Sequence, residues 1–175
     1  MAVLDRDPQP VATGSRSRRS AGLLVYRWRE GEIEVFLVHP GGPFWRNKDD
    51  GAWSVPKGEY TDAEDALAAA QREFMEETGM QVEGPFEALA PVRQAGGKLV
   101  HAWAVPGDFD ADGIRSNTFT MEWPPRSGRM RTFPEVDRAA WFTLEQAAAK
   151  LLPGQRPLLL ELAGMLARAS KGANT

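Results

Sequence analysis

Residues 58–80, GEYTDAEDALAAAQREFMEETGM, decide how this chain is read. Ala66, Leu67, Ala70 and Phe74 recur at helical spacing and form one apolar stripe. Thr61, with Glu64 three residues on, has the pattern of a capping box, and Asp62, Glu64 and Asp65 suit the positive end of a helix dipole. The pattern therefore predicts a helix over 62–78, stopped by Gly79. Its far end is the acidic cluster Arg72-Glu73-Phe74-Met75-Glu76-Glu77, in which Glu73, Glu76 and Glu77 fall at i, i+3 and i+4 and so share one face. Like charges at that spacing cost roughly 0.2–0.5 kcal/mol per pair. Carboxylates in a last helical turn are disfavoured by about a further 0.3–1 kcal/mol. A divalent cation offsets both costs, and oxygen-only ligands suit Mg²⁺ or Mn²⁺ rather than zinc.

A pair of glutamates alone is usually a solvated helix end; the wider spacing changes that. Gly58, Glu64, Arg72, Glu73, Phe74, Glu76, Glu77, Gly79 and Met80 are nine constrained positions in 23 residues, and together they resemble the signature of the Nudix hydrolases. Phe74 and Met80 stand where that family more often has Ile, Leu or Val, and both are bulky and apolar. The resemblance implies an α/β fold, the Nudix-type α/β/α sandwich with a mixed β-sheet. It also implies an enzyme in which water attacks phosphorus to cleave a diphosphate bond beside a nucleoside phosphate, with Mg²⁺ or Mn²⁺ as cofactor. By the same resemblance Glu76 and Glu77 are metal ligands, Glu73 is ligand or base, and Gly58 lends its backbone carbonyl to the metal. Family members differ in which glutamate is the base, so Glu73 and Glu76 both stay candidates for it. Arg72 is expected to orient the carboxylates; its plainer alternative is an exposed i, i+4 partner of Glu76. Glu64 is expected to support the site, as a cap or as a partner of Arg72.

Composition bounds the rest. The chain has 175 residues, 42% hydrophobic and 26% charged, which is enough for one domain with a real core. A formal net charge of −3 does not point to a nucleic-acid or anionic-membrane binder, so the expected partner is a small-molecule nucleotide. With no cysteine there are no disulfides, thiolate metal sites or cysteine nucleophiles. The N-terminal stretch MAVLDRDPQPVATGSRSRRS has early acidic residues and no apolar run, so it does not read as a signal peptide, and no run approaches the roughly 20 residues needed to span a bilayer. The expectation is a cytoplasmic protein, and the family resemblance adds that homodimers are common.

Residues 1–18 read as a disordered arm, 19–169 as the domain and 170–175 as a tail. Within the domain, Ser20 to Trp28 and Ile33 to His39 read as strands joined by a turn at Glu30-Gly31-Glu32. A polar loop from Pro40 follows, then a short strand from Trp53 to Pro56. After Gly79, strands are expected over Val82 to Arg93 (broken by Gly84-Pro85), Lys98 to Val105 and Asn117 to Trp123, with an extended piece ending at Trp141-Phe142. Thr143 is the expected cap of a helix, and a last helix runs from Pro157 to Ala169.

Several further residues are candidates for the site. Lys57, beside Gly58, is either a phosphate contact or a surface lysine. In the Pro40–Asp50 loop, Phe44, Trp45, Arg46 and Lys48 put aromatic faces beside cations, which is what a base and a polyphosphate need. Trp45 either stacks on substrate or pins the loop, and pinning is the expectation for Phe44. Lys48 is the second substrate candidate in that loop. Many family members carry an extra carboxylate outside the motif; Glu122 is the candidate here, with Glu135 second. His39 and His101 lack metal-site spacing, and His101 is expected to be packed.

The substrate is less legible. The only tyrosines are Tyr26 and Tyr60, so the downstream tyrosine of some dinucleoside-polyphosphate branches is missing, and Pro91 falls closer to the motif than the proline of some ADP-ribose branches. The triplet Pro56-Lys57-Gly58 is similar to that of polyphosphate-chain cleavers, and the flanks resemble a bacterial branch described as predicted NTP pyrophosphohydrolases. The expected substrate is therefore a nucleoside triphosphate or dinucleoside polyphosphate. The alternatives are an ADP-ribose or NADH pyrophosphatase and a nucleotide-sensing module without turnover.

Overall fold

The computed structural model describes residues 18–173. The segment expected to be a disordered arm lies outside the described residues except for Arg18. Nine strands and three helices are built: β1 (Arg19–Arg29), β2 (Glu32–Pro40), β3 (Lys57–Glu59), α1 (Ala66–Thr78), β4 (Glu87–Ala88), β5 (Val92–Arg93), β6 (Leu99–Pro106), β7 (Thr118–Glu122), β8 (Met130–Pro134), β9 (Val136–Thr143), α2 (Leu144–Lys150) and α3 (Pro157–Gly172). The main sheet has the order β4-β6-β1-β2-β9, with β3 added to β1 and β5 to β6. β1 and β6 run parallel while the other pairs are antiparallel, so the sheet is mixed as expected.

The alternation of β1 explains the layers. Ala21, Leu23 and Val25 face one side and pack with Phe36, Ala69, Ala70 and Phe74 under α1. Leu24, with Val35 and Leu37 of β2, faces the other side and packs with Leu151, Leu158 and Leu162 of the C-terminal helical region. Both faces of the sheet are covered, which is why β1 and β2 read as nearly continuous apolar runs. Among the described residues no helix is long and apolar enough to cross a membrane.

Several expectations are corrected. The motif helix starts four residues late: Asp65 is its N-cap, accepting from the Ala68 amide at 3.0 Å, and Asp62 and Glu64 lie outside it. The Thr61–Glu64 capping box does not form, because the Glu64 carboxylate is held by Arg72 at 3.1 Å. Trp53 and Ser54 make only isolated bridges, and the strand that follows is Lys57–Glu59, set into the sheet by Ala21↔Gly58 pairing. The expected Val82–Arg93 strand shrinks to the two short strands β4 and β5. The helix expected to end at Ala169 continues through Ser170 and Lys171 to Gly172. An unexpected strand, β8, pairs with β7 into a separate two-stranded hairpin. Thr143 does cap α2, with a full capping box to Gln146.

Candidate active site

β3 and the C-terminal end of α1 build the acidic part of the site. Gly58 packs directly beneath Glu73, and a Cβ at position 58 would fall inside the Glu73 carboxyl group. The glycine thus leaves the room in which the Glu73 carboxylate lies against the strand. α1 ends at Gly79 in the left-handed region (φ 73°), which fixes where the last turn, with Glu76 and Glu77, comes to rest. The Lys57 amide donates to Glu77 Oε2 at 3.3 Å, so Glu77 reaches back to the strand that carries Gly58.

Arg72 gathers the carboxylates on the outer side. Its guanidinium meets Glu73 Oε1 at 2.9 Å, Glu76 Oε1 at 3.2 Å and Glu64 Oε2 at 3.1 Å. It is therefore more than the i, i+4 partner of one glutamate, and Glu64 is a partner of Arg72 rather than a cap. Glu73 and Glu76 lean onto Arg72 while Glu77 turns to β3, so among the described residues no three acidic or histidine side chains are already drawn together as a metal-ligand cluster.

The electrostatics are those of acid without enough counter-charge. Burial pushes the Glu77 carboxyl up to about 8; Lys57 opposes the shift, and the negative charges of Glu73 and Glu135 add to it. Glu73 is also raised, by burial first and then by Glu76, against the pull of Arg72. Lys57 is lowered to about 8 by burial and by the neighbouring Lys98 ammonium, with Glu77 pulling the other way. Lys98 in turn reaches Glu59 at 3.5 Å.

Glu77 and Lys57 line a cavity of about 200 Å³ whose other walls come from distant parts of the chain. Trp45 forms one side, Glu135 another, and Val38, Val136 and Leu152 give apolar surface. Trp45 also packs against the core under α2 and α3, so it both pins its loop and faces the cavity. The Lys48 ammonium lies 5.0 Å from the centre of the Trp45 ring. Phe44 does not pin the loop to the core; it is 60% exposed and meets Trp123 of the hairpin region edge-on at 5.4 Å.

Glu122 is not brought to this cluster. It ends β7 opposite Met130, at the outer end of the hairpin. The base of that hairpin is the part anchored at the site, through the Asn117 amide to the Glu76 carbonyl at 2.8 Å. At roughly 3.3 Å per residue, Glu122 lies about 16 Å along the strand from that anchor. Glu135, ranked second from sequence, sits at the base instead: its amide donates to the Asn117 carbonyl, its carbonyl accepts from Gly41, and it faces the cavity with Glu77. Two alternating segments around the Pro124–Gly128 turn were the signal that could have shown the hairpin and so demoted Glu122. His101 lies edge-on to Tyr60 at 6.4 Å, away from this cavity, in keeping with a packed histidine.

Residues 16–162 match the NUDIX domain family model, and the chain belongs to the Nudix family. It is a pyrophosphohydrolase of that family. Solved structures of the same fold include a C. elegans Ap4A hydrolase in a binary complex, at 23% identity and TM-score 0.59, covering 85% of this chain and 98% of that one. The NUDIX domain of Shewanella oneidensis NrtR, complexed with ADP ribose, aligns at 14% identity and TM-score 0.61 over 93% of this chain and 94% of that one. A NUDIX hydrolase from Nitrosomonas europaea aligns at 17% identity and TM-score 0.56, covering 88% and 90%. At these identities the likeness carries the fold and leaves the substrate to the site.

Proposed function

We propose that this enzyme hydrolyses a diphosphate bond in a nucleoside polyphosphate, a nucleoside triphosphate or a dinucleoside polyphosphate, with Mg²⁺ or Mn²⁺. The observation that carries this reading is one cavity lined by a glutamate of the acidic helix end, a half-buried lysine and an aromatic ring: Glu77, Lys57 and Trp45. A polyphosphate needs cations and a base needs a flat apolar face, and the two stand together here.

The donor set fits a hard divalent ion. Glu73 and Glu77 are oxygen ligands whose ionised forms are disfavoured by burial and mutual repulsion, so a cation removes an existing electrostatic cost. Glu73, Glu76 and Glu77, with the Gly58 carbonyl, would hold it. What a bound Mg²⁺ or Mn²⁺ supplies is a lowered pKa for water and neutralisation of phosphate charge.

The chain's own residues do the rest. Arg72 holds Glu73 and Glu76 on one side and Glu64 on the other, keeping two carboxylates aimed along the same edge of α1. One of Glu73 and Glu76 takes the proton of the attacking water as base. Lys57 compensates phosphate charge, and Lys48 and Trp45 bind the nucleotide end. Glu135 is favoured over Glu122 as the extra carboxylate, because it faces Glu77 across the cavity. A small-molecule substrate in a cytoplasmic setting is in keeping with the charge and the absence of cysteine.

The test is a phosphate-release screen with Mg²⁺ over nucleoside triphosphates, oxidised forms included, dinucleoside polyphosphates, ADP-ribose and NADH. Turnover of a triphosphate or dinucleoside polyphosphate that disappears in Glu77→Gln is the expected result. Preference for ADP-ribose or NADH would refute the substrate assignment and leave the metal site standing.

A further inference from the structure

We propose that His39 is a positioning residue for the substrate: through the Lys48 carbonyl it holds the turn that presents Trp45 to the cavity and the Lys48 ammonium to the Trp45 ring. His39 is fully buried at the end of β2. Its Nε2 lies 2.6 Å from the Lys48 carbonyl oxygen and its Nδ1 2.8 Å from Asp137 Oδ1. A carbonyl and a carboxylate oxygen both accept, so Nε2–H donates to Lys48 and Nδ1–H to Asp137. Asp137 on β9 holds the other nitrogen, and the Trp53 ring lies against the imidazole at 5.2 Å, so the ring's orientation is set on two further sides. With both nitrogens engaged and the ring absent from the cavity wall, His39 has no route to the reacting atoms.

What it holds is the middle of the loop. The flanks are fastened elsewhere: the Gly41 amide to the Glu135 carbonyl, and Asp49 to Trp53 Nε1 at 2.8 Å and to Lys150 at 2.7 Å. Between them the Trp45 and Lys48 amides donate only within the turn, to Gly42 and Trp45. Among the described residues, the His39 bond is therefore the side-chain hydrogen bond that ties this turn to the sheet. Removing the donor leaves the part-buried Lys48 carbonyl without its partner, and the turn regains one by moving outward to water. The proposal rests on the reading that Trp45 and Lys48 meet the nucleotide.

The test compares His39→Gln, whose amide nitrogen can stand in for Nε2, with His39→Asn, which is too short for Lys48, and His39→Phe, which fills the space without a donor. Trp45→Ala is measured beside them. Amide hydrogen exchange over residues 42–48 reads the turn, and KM and kcat with ATP and diadenosine tetraphosphate read the substrate face. The expected result is fast exchange and a KM raised about tenfold in the Asn and Phe variants, kcat within about twofold, and near-wild-type values in the Gln variant. Slow exchange in all three variants overturns the proposal, as does equal damage in Gln, Asn and Phe. A raised KM in Trp45→Ala beside an unchanged KM in His39→Asn overturns the link to substrate alone. An unchanged KM in Trp45→Ala overturns the nucleotide reading of the loop, and the proposal with it. If neither nucleotide is turned over, the functional reading fails, and the exchange data still decide whether His39 holds the turn. His39→Gln is the least disruptive variant, so a native circular dichroism spectrum for it keeps the comparison decisive if another variant does not fold.

Discussion

The two walls of the cavity are made in different ways. The α1 wall is local: it is Glu77, whose neighbours Arg72, Glu73 and Glu76 lie within six residues of one helix end and are aligned beside the cavity by helical spacing alone. The opposite wall is assembled from Trp45 in a loop, Glu135 at a hairpin base and Leu152 beyond α2, none of them near another in the chain. The local wall carries charge at the expense of stability, with the half-buried Glu77 raised to about 8 and Glu73 raised beside it. The assembled wall is braced from behind by hydrogen bonds, from His39 to Lys48 and from Trp53 and Lys150 to Asp49. The difference teaches that an acidic cluster can be written into one helix end, whereas the shape of the wall facing it needs the whole sheet to hold it.

The sharpest way to break this contrast is Glu77→Gln. If the α1 wall is the chemical one, kcat falls by about a hundredfold or more while the circular dichroism spectrum and KM stay near wild type. Near-wild-type turnover would remove Glu77 from the metal site. Gly58→Ala comes next. The new Cβ displaces only the end of a flexible side chain, Glu73, so the melting temperature is expected to hold while kcat drops by about tenfold or more. A large loss of stability with normal specific activity would mean that Gly58 serves packing alone. On the assembled wall, Glu135→Gln is expected to lower kcat/KM by about tenfold and Glu122→Gln to leave it unchanged. The reverse order, read by steady-state kinetics, would return the extra carboxylate to the hairpin tip.

The smallest effect is a pH signature in EDTA. The folded-state value of Glu77 is about 8 against an ordinary 4.5, so between those values the native state keeps a proton that the unfolded chain has lost, and stability falls as pH rises. Lys57 stands at about 8 against 10.5, so above pH 8 the native state has released a proton that the unfolded chain keeps, and stability recovers. Melting temperature measured from about pH 5 to about pH 10 should therefore show a shallow minimum near pH 8. Mg²⁺ should fill that minimum, and Glu77→Gln should flatten its falling limb. A profile without a minimum would show that the two groups meet more water than their burial implies.

Legibility follows the same division. The apolar runs of β1 and β2, the stripe of α1 and the Thr143 cap were all readable, because each depends on a pattern within one element. The start of α1 was misread because Arg72, two turns along the same helix, takes the glutamate a capping box would use. β8 was missed because a hairpin reverses the chain, and the same reversal puts Glu135 at the cavity while Glu122 ends β7 at the far end of the hairpin. Phe44 was assigned to the core, yet its neighbour is Trp123, far along the sequence.

By itself the sequence determined the family, the fold class and the acidic helix end, since a fixed spacing on a helix is already a geometry. Only the tertiary structure decided which distant groups face that end: Glu135 rather than Glu122, Trp45 turned to the cavity, and His39 joined to Lys48. The physical reason is that helical spacing sets distances over a few residues, while contacts between a loop, a hairpin base and a strand end depend on how the sheet pairs and twists, which no local pattern records.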